Sequence, residues 1–294
     1  MSIPLFLGLL STTLGSPDGP PHAENAVFRA VVDEGLAVGD RAVRLPAPTF
    51  PDGQAADDRR SALRELAGSD RAVEDFLRDS VTAPFLLSLD DRKAEGAIVR
   101  TGHLYFSLRV DLDEIDPADL FTNADPDAGP VEAGNMRFEA RVLGPEEAPD
   151  ADDAPPGARL VHSTGRLLDR IAVESTSVVL GSRSAESMVV ASMTDRRLDG
   201  DDRRPNRWAT IEGRGDDEKT GPPHPYAGGI GYAKLTRLED RPGTVLVELH
   251  FAFAEPTEWF DGAPILRSKF SLIAQDQIRR LRRELQSARP SSED

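Results

Sequence analysis

Glu248 and His250 stand two residues apart in the apolar run TVLVELHFAFAEP, Thr244 to Pro256. A carboxylate that orients an imidazole is one half of a general base, or of a metal-binding unit. Strand side chains alternate, so residues two apart share a face. Val245, Val247, Leu249, Phe251 and Phe253 then form the opposite, buried face, while Leu246 and Ala252 make the Glu248/His250 face mixed. A solvated strand face leaves the same pattern, with the pair as ordinary cross-strand neighbours.

His103 poses the same alternatives. In AIVRTGHLYFSLRVDL, Ala97 to Leu112, one face carries Leu104, Phe106, Leu108 and Val110, and the other His103, Tyr105, Ser107, Arg109 and Asp111. If this strand neighbours the last hairpin, His103, Tyr105, Arg109, Glu248 and His250 line one surface. That surface is the ligand-binding candidate. If it performs chemistry, His250, Glu248 and His103 are the catalytic candidates of a hydrolase or metal-assisted enzyme.

Other chemistry finds little support. DLDEIDP, Asp111 to Pro117, and NADPDAGPVE, Asn123 to Glu132, alternate carboxylates. A calcium loop wants Gly at its sixth position and Glu at its twelfth, and the second stretch has neither in place. Capping by Asp113 or Asp116 and turn solubility explain these residues as well. No HExxH or HxH spacing marks a zinc site, and there is no GxSxG, SxxK, P-loop or GxGxxG after a strand. YAGGIGY, Tyr226 to Tyr232, precedes a strand and offers no helix N-terminus to phosphate. No metal and no cofactor are expected.

The elements that must position these residues follow from periodicity. Helices are expected over Glu24–Gly35, Asp57–Ala67 and Asp70–Arg78, with Gly35 and Gly68 as stops. Gly39-Asp40 reads as a hairpin turn, and Pro46–Gln54 as a loop. Strands are expected at Ala83–Leu89, Ala97–Leu112, Met136–Leu143, Ile171–Leu180 and Glu186–Met193. Gly231–Phe253 is a hairpin turning on Glu239–Gly243. Gln275–Gln286 closes the chain as a helix with Ile278, Leu281 and Leu285 as its apolar stripe. Arg279, Arg280, Arg282 and Arg283 cover its remaining face, read as solvated. Two stretches rich in Asp, Gly and Pro, near 144–158 and 195–225, read as disordered loops. Helices, then consecutive strands, then a helix imply an α+β fold: an antiparallel sheet with short N-terminal helices and a closing C-terminal helix. START-like helix-grip domains are the analogy for this order of elements, and such an arrangement often encloses an apolar ligand.

Composition bounds the rest. The chain has 294 residues, 39% of them hydrophobic, a net charge of −16 and no cysteine. Its field repels phosphate backbones, so no nucleic-acid partner is expected. Disulfides, zinc–thiolate sites and a Cys nucleophile are excluded. Arg far outnumbers Lys, which with the Ala, Asp and Pro content points to a GC-rich bacterial genome. Ile3–Leu10 is apolar but too short to span a bilayer, and small residues follow to Gly15. This is the shape of a signal peptide over 1–15, although no basic residue precedes Arg29. One α+β domain over 24–287 and a frayed tail over 288–294 complete the expected organisation.

EPTEWFDGAPILRSKFSLIAQDQIRRLRREL, Glu255 to Leu285, together with PAPTFPDG, Pro46 to Gly53, is similar to a group of exported bacterial proteins of unknown function. The resemblance implies export and a single domain, and implies no activity and no catalytic residue. The expectation is therefore a periplasmic or secreted protein that binds a small or apolar ligand, or another protein, without catalysis. A transmembrane segment in the mature chain is not expected.

Overall fold

The computed structural model describes residues 21–115, 130–133, 135–144, 146–147, 154–213, 217–262 and 265–288. The expected signal segment 1–15, most of the acidic stretch 123–132, the tail from 289, and an Arg-Gly-Asp sequence at 214–216 lie outside the described residues.

The chain begins with a small helical layer. Asn25 caps helix α1, Ala26–Arg29, by accepting from Phe28 N, and a wider turn, Ala30–Glu34, runs on to Gly35. Strands β1, Leu36–Val38, and β2, Arg41–Val43, pair around Gly39-Asp40. Helices α2, Ala56–Ala67, and α3, Asp70–Phe76, follow. Gly68 ends α2 at φ 89°, and Ser69 caps α3. Asn25 and Ser69 start α1 and α3, and Gly35 and Gly68 stop the first helical stretch and α2, which is why these elements fall where they are expected.

The main sheet is antiparallel throughout. Its strands are β3, Leu86–Ala94; β4, Ala97–Leu108; β5, Val131–Ala133; β6, Met136–Val142; β7, Arg159–Leu167; β8, Ile171–Arg183; and β9, Ser187–Thr194. Three short strands come next: β10, Arg207–Glu212; β11, Lys219–Thr220; and β12, His224–Pro225. The last hairpin is β13, Gly229–Arg237, with β14, Val245–Pro256. The spatial order is β3-β4-β14-β13-β9-β8-β7-β6-β5, with β10 beside β8. The chain therefore leaves β4 near one margin, re-enters at the other, and walks back strand by strand. Helix α4, Ile265–Ala288, closes the fold.

Nine strands at about 4.8 Å would make a flat sheet nearly 40 Å wide. Yet α4 meets both margins: Arg267 bonds Leu89 O and Asp91 on β3 at 2.9 and 2.7 Å, and the helix also lies against β5. The helix runs along β3 and not across the strands, since Arg267 bonds Leu89 O and Arg282 bonds Ala83 O, so its thickness of about 10 Å meets both margins only if the sheet curls round it. Leu104, Phe106, Val247, Phe251, Val190 and Phe138, from four strands, share a core with Leu266, Phe270, Ile273 and Ile278 of α4. Each such side chain contributes roughly 1.5–3 kcal/mol by leaving water. At one end of this inner face Arg100 and Glu255 form a buried bidentate pair at 2.6 and 2.9 Å.

Several expectations need correction. β3 runs later than Ala83–Leu89 and turns into β4 at Glu95-Gly96; its polar half, Asp90–Lys93, is what a margin strand tolerates. β7 was not read at all, because RLVHSTGRL is too polar to stand out. The stretch 195–225 carries three strands, and Trp208 is buried within it. α4 begins ten residues before Gln275. Arg279, Arg280, Arg282 and Arg283 are not all solvated, since Arg282 is only 6% exposed.

A Cβ on Gly102 would lie 2.1 Å from the Phe251 ring, which packs over that position of β4. Gly102→Ala is expected to cost about 1–3 kcal/mol by urea denaturation. An unchanged midpoint would show the ring free to move aside.

Candidate functional site

Register brings the sequence candidates together. β14 pairs with β4 so that His250 faces His103 and Glu248 faces Tyr105. His103 Nδ1 lies 2.7 Å from His250 Nδ1, and His250 Nε2 lies 3.3 Å from Glu248 Oε2. Glu248 accepts there, so His250 carries its proton on Nε2. A neutral His250 then accepts at Nδ1, and His103 donates from its own Nδ1. This leaves His103 Nε2 as a bare lone pair on a half-buried ring. Tyr105 and Tyr232 flank His250 with ring centroids 5.7 and 4.9 Å away.

The face holding these groups is not wet. Glu248 is 0% exposed and His250 1%. The opposite face is buried as well, so the alternation holds but β14 is dry on both sides. The N-terminal layer supplies the second cover: Phe50, Leu63, Val73 and Phe76 pack with Tyr105 and Leu246. Arg109 stands apart. It lies past the end of β4, about 20 Å along the strand from His103. Its guanidinium bonds Thr244 Oγ1 at 2.5 Å.

A second buried cluster adjoins the first, and the sequence reading missed it. Lys234 on β13 lies opposite Glu248 in register and is 1% exposed. Both grip the segment Thr49–Asp52. Glu248 accepts from Thr49 N at 2.8 Å and Phe50 N at 3.3 Å. Lys234 donates to Phe50 O at 2.8 Å and to Asp52 at 2.5 Å. Asp52 also accepts from Ser184 at 2.5 Å and Ser187 at 2.6 Å. His22 bonds Ser182 at 2.9 Å and Ser187 at 2.8 Å. The missed signal was Lys234 itself, one of four lysines, on the same strand parity as Tyr232. Glu239–Gly243 as the turn would have set Lys234 across from Glu248.

Charge follows from these contacts. Burial raises the Asp52 carboxyl, but hydrogen bonds from Lys234, Ser184 and Ser187 outweigh it and hold the group at about 2. Burial lowers His22, with Asp52 opposing and Lys234 reinforcing. Burial also lowers His103, helped by His250 and opposed by Asp90. Hydrogen bonds string His103, His250 and Glu248 in a line. Among the described residues no three His, Cys, Asp or Glu side chains form a group that could hold a metal ion.

Two clefts lie on this outer side of the sheet. One, of about 450 Å³, has Phe28, Pro48, Pro51 and Val189 as walls and Asp52, Ser184 and Lys234 at its floor. The other, of about 570 Å³, spans β6, β7, β8 and β10. Gly165, Ala172, Val173 and Ala209 floor it, Arg137, Arg166 and Arg207 rim it with Glu139 and Glu174, and Thr220, Gly221 and Pro223 wall one side. Arg166 pairs with Glu218 at 2.7 and 2.8 Å, and Arg207 with Glu174 at 2.9 Å. Trp208 stacks on His224 at 4.7 Å and so anchors β12.

No family model matches the chain, and no curated protein matches it.

His22 and His103 both sit below their ordinary 6.5. Between their folded values and 6.5 the unfolded chain binds more protons, so stability falls as pH drops through that window. The urea midpoint should fall between about pH 7.5 and about pH 5, and fall less in a His22→Gln/His103→Gln double variant. Equal falls would remove these imidazoles from the account.

Proposed function

We propose that this protein is an exported, non-catalytic binding protein for a small amphipathic molecule, seated in the cleft over β6, β7, β8 and β10. The observation that carries the reading is the cleft's build. Its volume, about 570 Å³, lies in the range of small-molecule sites, and an apolar floor under a few convergent charges suits a ligand with one flat apolar part and one polar part. The buried His/Glu/Lys cluster supports the same reading from the other side. Its carboxylates are taken up by backbone N–H groups, Lys234 and serines, which suits a clasp that holds the N-terminal layer down. Export rests on Ile3–Leu10 with the small residues after it. Among the described residues no helix is long and apolar enough to cross a membrane. A net charge of −16 argues against a polyanionic partner.

Anilinonaphthalene sulfonate, a flat anionic probe, tests the cleft. Its fluorescence should rise on binding to the wild type. Ala172→Trp, which puts an indole on the cleft floor, should abolish that rise while leaving the thermal midpoint in place. An equal response from both proteins would put binding elsewhere.

One observation favours a second reading, a hydrolase: the half-buried His103 ring ends a hydrogen-bonded line through His250 to Glu248. Such a line makes a general base of His103 Nε2. On that reading turnover of p-nitrophenyl acetate falls about 100-fold in His103→Gln. Turnover no faster than buffer, or unchanged in the variant, leaves the binding reading alone.

A further inference from the structure

Arg282 is a buried cation without a counter-ion. It is 6% exposed and bonds only carbonyls: Ser107 O at 3.1 Å, Ala83 O at 2.6 Å and Val81 O at 3.5 Å. Its remaining terminal nitrogen, Nη2, is buried with no hydrogen-bond partner. Leaving a charged donor unmade in the interior is costly, so its neighbourhood should offer the missing acceptor. Burial alone pulls this guanidinium down to about 10, as expected of a cation that no carboxylate answers.

The neighbourhood is a cleft of about 230 Å³ between residues 82–85 and α4, which Arg282 lines together with Arg279. No described residue forms an ion pair with Arg279. Two guanidiniums without a carboxylate partner among the described residues, beside one cleft, are out of keeping with a chain of 51 acidic and 35 basic residues. The other cleft walls are largely apolar, with Pro84, Phe85 and Ile278. On its far side Arg282 meets Arg78, Arg109 and Asp79 around a tighter space.

We propose that this cleft binds a small carboxylic acid, its carboxylate between Arg279 and Arg282 and its apolar body against Phe85 and Ile278. The site is separate from the cleft over β6, β7, β8 and β10. A guanidinium fork suits a carboxylate. A space of about 230 Å³ takes about eight groups of water's size, which is the heavy-atom count of hexanoate. The apolar walls disfavour a bare multivalent anion such as inorganic phosphate.

Isothermal titration at constant ionic strength tests this with hexanoate, hexanamide and inorganic phosphate. Hexanoate should bind saturably, with a Kd on the order of millimolar for so small a ligand. Hexanamide and phosphate should bind at least about tenfold more weakly. Arg282→Met removes three bonds to backbone carbonyls and could unfold the protein. The informative variant is therefore Arg279→Glu at a half-buried position, which places a competing carboxylate at the mouth and should abolish the hexanoate heat while keeping the urea midpoint. The proposal fails if hexanoate shows no saturable heat, if hexanamide binds as well, or if Arg279→Glu binds hexanoate like the wild type.

Discussion

Lys234 and Glu248, two opposite charges facing each other across neighbouring strands in the interior, set the condition the rest of the outer layer obeys. Removing either from water costs several kcal/mol, and their mutual attraction does not offset that without further hydrogen bonds. The further bonds come from one short segment. Glu248 takes the N–H groups of Thr49 and Phe50, and Lys234 takes the Phe50 carbonyl and Asp52. PTFPD is therefore held in place by the sheet, and it in turn makes the charges tolerable. The helices after it, α2 and α3, cover Tyr105 and Leu246 only because this segment is pinned beside them. Arg59 of α2 bonds Arg237 O at 3.1 Å, and Ser107 bonds Phe76 O at 2.8 Å, which finishes the attachment.

A sheet covered on both faces explains why polar residues on β14, β13 and β9 are not solvent-facing. The inner face is apolar apart from the Arg100–Glu255 pair at one end, and it wraps α4. The outer face is a mixture in which each buried ionisable group has been given partners. Dispersion and water exclusion hold the first face, and directional bonds specify the second. The two faces therefore fail differently. A cavity in the inner face costs in proportion to lost packing, whereas a lost partner in the outer face strands a charge.

The clefts sit where this double cover stops. α1 meets β8 near Leu180, to which Asn25 donates at 3.0 Å, and the cleft lies farther down β8, over Ala172–Glu174, where arginine–carboxylate pairs rim the opening. Near α3 the layer ends in residues 80–85, and Arg282 fills the gap with carbonyl bonds but keeps one nitrogen unanswered. Both places set apolar wall beside arginine side chains, answered by carboxylates at the first and by backbone carbonyls at the second. Trp208, Tyr226, Trp259, Phe251, Phe253 and Phe270 crowd the space between sheet and helix.

Alternation and punctuation in the chain determined a good deal on their own. Val245, Val247, Leu249, Phe251 and Phe253 had to point one way and Glu248 with His250 the other, whatever lay nearby. Gly35, Gly68 and Glu239–Gly243 had to end helices or turn strands, because their backbone preferences are local. The α+β class and the pairing of the β13–β14 hairpin followed from those signals. What covers a face is not local. Whether Glu248 meets water or Thr49 depends on a segment 199 residues earlier in the chain, and no spacing rule reports that distance. Arg109 shares a parity with His103 but lies too far along the strand to join it. Lys234, Asp52, His22 and Arg282 carry no motif at all, and only packing buries Lys234 and Arg282 and brings Asp52 and His22 to their partners. Polar strands such as β7 and β10 form because neighbours offer paired edges, so their strand character belongs to the assembled sheet and not to their own residues.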